Sequence, residues 1–148
     1  MRKQVFVKRG LIITLVLAFV LSLSAACMAD MTGKDLVTEA KKTVKEISVA
    51  DAKADIDAGK VAVIVDCRTD KEFKRGHLPK AVHIDRGLLE FQVEKKITNK
   101  DSYIICYCKT GGRSCLASCT LIQMGYTNVK SMAGGWEAWV KAGYPIAE

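Results

Sequence analysis

The sequence predicts an α/β domain built around a five-stranded, mainly parallel sheet with helices on both faces. Two apolar runs, Val61–Val65 and Ser102–Tyr107, lack the polar alternation of a half-exposed strand, as strands buried on both faces require. Stretches with helical spacing lie between the strand-like runs, so strands and helices alternate along the chain. Gly59, Gly76, Gly125 and the pair Gly134-Gly135 punctuate the places where one element gives way to the next.

Size and charge narrow the class further. At 148 residues there is room for one domain plus an appendage. The formal charge of +7 is concentrated at the start, where Arg2, Lys3, Lys8 and Arg9 precede the first acidic residue, Asp30. The remainder is close to balance and shows no basic stripe interleaved with aromatics, which argues against a nucleic-acid-binding protein.

The first element is a targeting segment. A basic stretch to Gly10 leads into apolar Leu11–Leu23 and then into Ser24, Ala25, Ala26 and Cys27. This is the three-part layout of an export signal, with residues 1–26 removed by cleavage after Ala26. The same residues also resemble a bacterial lipobox, with Cys27 as the lipidated residue. Leu11–Ala29 is uncharged and about long enough for an uncleaved anchor. All three readings place the domain outside the cytoplasm, in the periplasm or cell envelope, with the N-terminus as the one candidate for membrane attachment.

Residues 27–46 are expected to form a helical spacer, or a helix docked on the domain. Asp30–Lys45 is amphipathic, with Leu36, Val37, Ala40 and Val44 on one face and Thr32 with Asp35 as a cap. The domain proper is expected over 47–146. Ile47 ends a short strand. Ser48 and Asp51 cap a helix that runs to Ala58 and stops at Gly59. After the strand Val61–Val65 come a short helix at Asp70–Lys74, a turn at Gly76–Pro79 and a strand at Ala81–Ile84. Leu88–Val93 reads as helix, Ser102–Tyr107 as strand and Ser114–Met124 as helix. Asn128–Met132 reads as the last strand and Trp136–Lys141 as the last helix.

In such sheets, sites form at the carboxyl ends of strands, where Cys108 and Asp66 stand. Cys108 opens the run Lys109, Thr110, Gly111, Gly112, Arg113 just before a helix. The glycines let successive amides turn inward as an anion-binding nest around the sulfur. Lys109 and Arg113 add positive charge, and a helix N-terminus with nearby cations favours thiolate. Cys108 is thus the candidate nucleophile and residues 109–113 the candidate substrate-binding loop, with Ser114 as the expected helix cap.

The segment Cys108–Arg113 resembles the active loop of rhodanese-like sulfurtransferases. Asp66–Pro79 is similar to that family's Asp-x-Arg-x-x-x-Glu-(Tyr/Phe)-x-x-Gly-His-Ile-Pro signature. Gly125–Val129 and Gly134–Trp139 are similar to its two C-terminal signatures. The resemblance spans Ile47 to Ile146. It implies a five-stranded parallel sheet and transfer of sulfane sulfur through a persulfide on Cys108. The donor would be thiosulfate or a persulfide, and the acceptor cyanide, a small thiol or a protein thiol. No metal or organic cofactor is implied. A rival reading is a sulfur carrier or thiol-redox module that serves a partner protein with little turnover of free thiosulfate. A second rival is a phosphatase or arsenate reductase, whose loop in the fold's phosphatase relatives is one residue longer than Cys108-x4-Arg113.

The chain departs from the family pattern at two places. Lys80 stands where glycine is usual, and Cys67 occupies the middle of Asp-x-Arg. Asp66 and Arg68 read as an ion pair shaping the floor beneath the loop, with Glu72 as a further partner of Arg68. His77 and His83 read as structural, and Cys106 as an inert core thiol. Cys67 ends a strand beside Cys108 and is the candidate for a disulfide with it in an oxidising compartment. Cys115 and Cys119, four apart, fall opposite Ala117, Leu121 and Met124, and read as a metal half-site, a redox pair or solvent-facing thiols. Trp136 and Trp139 read as packing residues.

Overall fold

The computed structural model describes residues 30–148. The export-signal, lipidation and anchor readings of residues 1–29, including Cys27, lie outside the described residues.

Five strands form one parallel sheet: β1 (Lys45–Ile47), β2 (Val63–Asp66), β3 (Val82–His83), β4 (Ile104–Tyr107) and β5 (Val129–Met132). Their order is β1-β5-β4-β2-β3, and every pairing is parallel. The helices are α1 (Gly33–Ala40), α2 (Val49–Asp57), α3 (Asp70–Phe73), α4 (Leu89–Lys96), α5 (Gly112–Gln123) and α6 (Gly135–Lys141). A 3-10 turn, Arg86–Leu88, precedes α4.

Alternation along the strands divides the core into two layers. Val65, Cys67, Ile104, Cys106 and Cys108 pack with Leu89 and Val93 of α4 and Ala117 and Leu121 of α5. Ile47, Ile64, Ile105, Tyr107 and Met132 pack with Ala52 of α2 and Trp139 of α6. The central strands are buried on both faces, which is why their sequences run continuously apolar. From β2 the chain crosses to β3 on one side, and from β4 it crosses to β5 on the other. The carboxyl ends of β2 and β4 therefore face a topological switch point, the position where a crevice opens in this architecture.

The stretch read as a spacer is, from Gly33 onward, a docked helix. Ala40 and Val44 are buried against Cys115, with Val37, Leu116, Cys119 and Ile122 around them. Leu36, placed on that face by helical phase, is instead 46% exposed, because α1 ends at Ala40 and presents only its last turn to α5. The first strand also begins before residue 47, since Lys45 and Glu46 pair with Lys130 and Ser131. The caps follow the sequence. Thr32 and Asp35 form a reciprocal capping box, and Ser48 accepts from the Asp51 amide.

Candidate active site

Cys108 follows β4 directly and is 1% exposed. Its side chain shares the core layer of Cys106 and Cys67, while the loop after it rises over the sulfur. The Gly111 amide donates to Cys108 Sγ at 3.2 Å. Gly111 has φ 109°, a conformation that favours glycine, and it serves as the N-cap of α5. Helix α5 therefore points its positive end at the thiol. Ser114 does not cap this helix. It lies inside the first turn, where its hydroxyl donates to the Gly111 carbonyl at 3.0 Å and meets the Ser131 hydroxyl at 3.0 Å.

The loop is tied down from behind by α6. The Trp136 amide donates to the Cys108 carbonyl at 2.8 Å, and the Glu137 amide donates to the Lys109 carbonyl at 3.1 Å. These contacts need backbone to meet backbone at Gly135, whose φ is 55°. A Cβ there would run into the Cys108 carbonyl oxygen. The Gly134-Gly135 pair thus holds the nucleophile's own peptide group.

The two loop cations differ in their partners. Arg113 donates through Nη1 and Nη2 to the two Glu72 carboxylate oxygens, each at 2.8 Å. These hydrogen bonds hold the Glu72 carboxyl well below the usual carboxylate range and raise the Arg113 guanidinium above its own. Lys109 is exposed, with Nζ 3.5 Å from a Glu137 oxygen. Thr110 and Gly112 complete the loop, Thr110 exposed and Gly112 half-buried.

Glu72 is not a partner of Arg68. As the third residue of α3 it turns back to accept from the Thr69 amide and hydroxyl, which aims its carboxylate at Arg113. Arg68 instead spends its donors on the floor. Its Nη2 lies 2.7 Å from Asp66 Oδ2 and 2.7 Å from the Gly76 carbonyl, and Nε reaches both Asp66 oxygens. The pair is buried, and the Arg68 guanidinium lies 4.4 Å from the Trp136 ring centre and 5.5 Å from that of Tyr107. Burial opposes the Arg68 charge, but Asp66 outweighs it and raises the guanidinium's pKa.

His77 stacks on Phe73 with ring centres 3.8 Å apart, and its backbone pairs with Ala147. His83 sets Nε2 2.7 Å from the Arg68 carbonyl. Each histidine thus has a partner in the segment from Arg68 to Phe73. Cys115 is buried under α1, and burial pushes its thiol up. It is not solvent-facing, because the helix face opposite Ala117 and Leu121 is the one α1 covers. Cys119 is partly exposed, 3.9 Å from the Thr43 hydroxyl.

Beside the loop lies a cavity of about 230 Å³ lined by Arg68, Glu72, Arg75, Gly76, Lys109 and Trp136. Arg75 and Trp136 are site residues that the sequence reading missed. Arg75 carried no motif signal of its own, and Trp136, read as packing, does pack against the core layer of Trp139 and lines the cavity as well. A similar cavity between α2 and α6, lined by Lys53, Ile56, Leu78 and Trp139 among others, includes no residue of the Cys108 loop.

A profile described as Rhodanese-like domain matches residues 48–142. The chain belongs to this rhodanese-like family. The five-stranded parallel sheet with helices on both faces is that of the family. Thiosulfate sulfurtransferase 16, chloroplastic, of Arabidopsis thaliana is 38% identical over 93 residues, covering 55% of this chain and 76% of its own. Protein HIGH ARSENIC CONTENT 1, mitochondrial, from the same plant is 33% identical over 129 residues, covering 78% of this chain and 75% of its own. A solved structure from Rhodopseudomonas palustris, described as a protein of unknown function and possible tyrosine phosphatase, is 33% identical. It matches with a TM-score of 0.75 over 82% of this rhodanese-like chain and 98% of its own.

Proposed function

We propose that this rhodanese-like protein is a sulfurtransferase whose nucleophile is Cys108. The observation that carries the reading is the Gly111 amide 3.2 Å from Cys108 Sγ at the start of α5. An amide donor and a helix N-terminus at the sulfur stabilise the thiolate, and afterwards the anionic outer sulfur of a persulfide. The Cys108 thiolate attacks the sulfane sulfur of thiosulfate. A Cys108 Sγ–S bond forms, the S–S bond of the donor breaks, and sulfite leaves. Cyanide or a thiolate then attacks the outer sulfur and carries it off as thiocyanate or a new persulfide, regenerating the Cys108 thiolate.

The neighbouring cavity receives the donor's anionic end. Arg75 and Lys109 at its rim supply positive charge, and Trp136 supplies a wall. Arg113, locked to Glu72, shapes the loop and lends charge to it. No metal or organic cofactor enters these steps, because each is a displacement at sulfur by the Cys108 thiolate or by the acceptor. The N-terminal sequence supports work outside the cytoplasm, in the periplasm or cell envelope.

Intact-protein mass spectrometry of reduced protein before and after thiosulfate tests this, with Cys108→Ser beside it. At the earliest times after mixing, one added sulfur on wild type only, removed by cyanide as thiocyanate, is the expected result. An adduct on the serine variant would move the nucleophile to another cysteine. No adduct, with hydrolysis of an aryl phosphate or reduction of arsenate by the same sample, would replace sulfur transfer with oxyanion chemistry.

A further inference from the structure

We infer that Cys67 resolves the Cys108 persulfide, releasing its outer sulfur as sulfide and leaving a Cys67–Cys108 disulfide. This gives the protein a second outcome beyond transfer to an acceptor, and it rests on the persulfide chemistry proposed above.

Placement in the sheet carries the inference. The β2–β4 register pairs Val65 with Cys106 and Asp66 with Tyr107, so the next pair is Cys67 with Cys108. The ladder continues to that point, since the Cys67 amide donates to the Tyr107 carbonyl at 2.8 Å. Register partners in a parallel pair project to the same face, and Cys67 and Cys108 share one buried cluster. Adjacent strands lie about 4.8 Å apart, inside the Cα range of about 4.4–6.8 Å that a disulfide bridges. Both thiols are free, so the bond is available to form.

The two sulfurs meet Cys108 from different directions. The outer persulfide sulfur belongs in the loop, against the Gly111 amide. Cys67 is 1% exposed and lies in the core layer below. It is thus placed on the interior side of Cys108 Sγ, away from the leaving sulfur.

The step balances without an outside oxidant. The anionic outer sulfur, turned toward Cys67 about the Cys108 Cβ–Sγ bond, first takes the Cys67 proton; once it has turned back into the loop, the Cys67 thiolate bonds to Cys108 Sγ, the bond between Cys108 Sγ and the outer sulfur breaks, and that sulfur leaves as hydrosulfide. The sulfane sulfur is reduced and the two thiols are oxidised. Cys67 holds its proton until then, because its hydrogen-bonded neighbour Cys106, and then burial, keep the thiol well above the ordinary range. A dithiol reductant reopens the disulfide by attack at Cys108 Sγ through the loop mouth. With an acceptor present, sulfur is transferred. Without one, the site closes and sulfide is released.

Reduced wild type and Cys67→Val, each given one equivalent of thiosulfate without acceptor, test the step. Wild type is expected to release one sulfide per chain, lose two hydrogens from its reduced monomer mass and yield a cross-linked peptide joining Cys67 to Cys108. Cys67→Val is expected to keep the added sulfur and release no sulfide. Wild type that retains the adduct would overturn the inference while leaving sulfur transfer intact. A disulfide to Cys106, or equal sulfide release by the variant, would overturn it as well. Absence of any adduct on either protein would remove the sulfur-transfer reading and this step with it. Should the valine variant not fold, Cys67→Ala replaces it, and the wild-type peptide map decides independently.

Discussion

Arg113 and Glu72, 41 positions apart, join the active loop to the cap of α3 through two parallel hydrogen bonds of 2.8 Å. The same carboxylate closes the capping box with Thr69. One side chain therefore fixes both a helix start beyond β2 and the far end of the loop beyond β4.

Replacing Arg113 with Lys keeps the charge and removes the planar fork, so only one of the two bonds survives. About a third of each partner is exposed to solvent, which limits the stability loss to about 1 kcal/mol or less. The loop geometry carries the larger effect. We expect kcat/KM for thiosulfate to fall about tenfold, near 1.4 kcal/mol, mainly through KM. Steady-state kinetics with cyanide as acceptor reads this directly. An unchanged KM would remove Arg113 from the positioning of the donor.

The pair also sets an acid limit. Glu72 is held low first by the Arg113 hydrogen bonds, against burial, and then by the Thr69 amide. In the unfolded chain a glutamate titrates near pH 4.3. Between that value and the lower native one, the unfolded state binds a proton that the native state does not. The stabilisation is therefore complete above the unfolded pKa and is lost as pH falls through the folded one. Urea unfolding of wild type and Glu72→Gln should show a stability gap that is constant above about pH 5 and closes as pH falls below about 4. A gap independent of pH would mean that the carboxylate's charge contributes nothing.

Lys80 has φ 62° in the turn after Pro79, the one non-glycine residue in that region among the described residues. The conformation costs an L-residue about 1–2 kcal/mol, and the extra backbone freedom of an unfolded glycine returns part of that gain. Lys80→Gly should stabilise the protein by about 0.5–1 kcal/mol. The denaturant midpoint should rise with an unchanged m-value. A lower midpoint would show that the lysine side chain contributes more than its backbone costs.

What the sequence made legible was local. The six residues from Cys108 to Arg113 are contiguous, so a thiol under a helix N-terminus could be read from spacing alone. Strands β2 and β4 were legible because burial on both faces leaves an unbroken apolar run. What stayed hidden depends on contacts between distant segments. Glu72 had an apparent partner one helical turn away in Arg68, but its turn back onto the Thr69 cap aims it at Arg113, 41 positions away. The burial of Cys115 depends on where α1 lands, which helical phase does not specify. Trp136 packs on the core as its pattern suggests, but an indole beside a glycine pair carries no mark of the cavity that it also lines.

The glycine pair that opens α6 offers the sharpest test of how the nucleophile is held. Gly135 combines φ 55° with the close approach of the Cys108 carbonyl, whereas Gly143 has φ 72° with nothing within 4 Å of an added Cβ. Alanine at residue 143 meets only the left-handed conformation, a cost of about 1–2 kcal/mol. Alanine at residue 135 meets the same strain and also drives a methyl into the peptide group of the nucleophile. Its cost should exceed that of the other variant by about 1–3 kcal/mol, the range for overpacking a filled site. The displacement falls on the Cys108 carbonyl, which accepts from Trp136, and on the Lys109 carbonyl, which accepts from Glu137. Gly135→Ala should therefore lose persulfide formation even where it remains folded, while Gly143→Ala retains it. Urea unfolding and thiosulfate labelling on the same pair separate the two effects. Equal behaviour of the two variants would show that backbone strain alone matters, and that the loop does not depend on the close approach at Gly135.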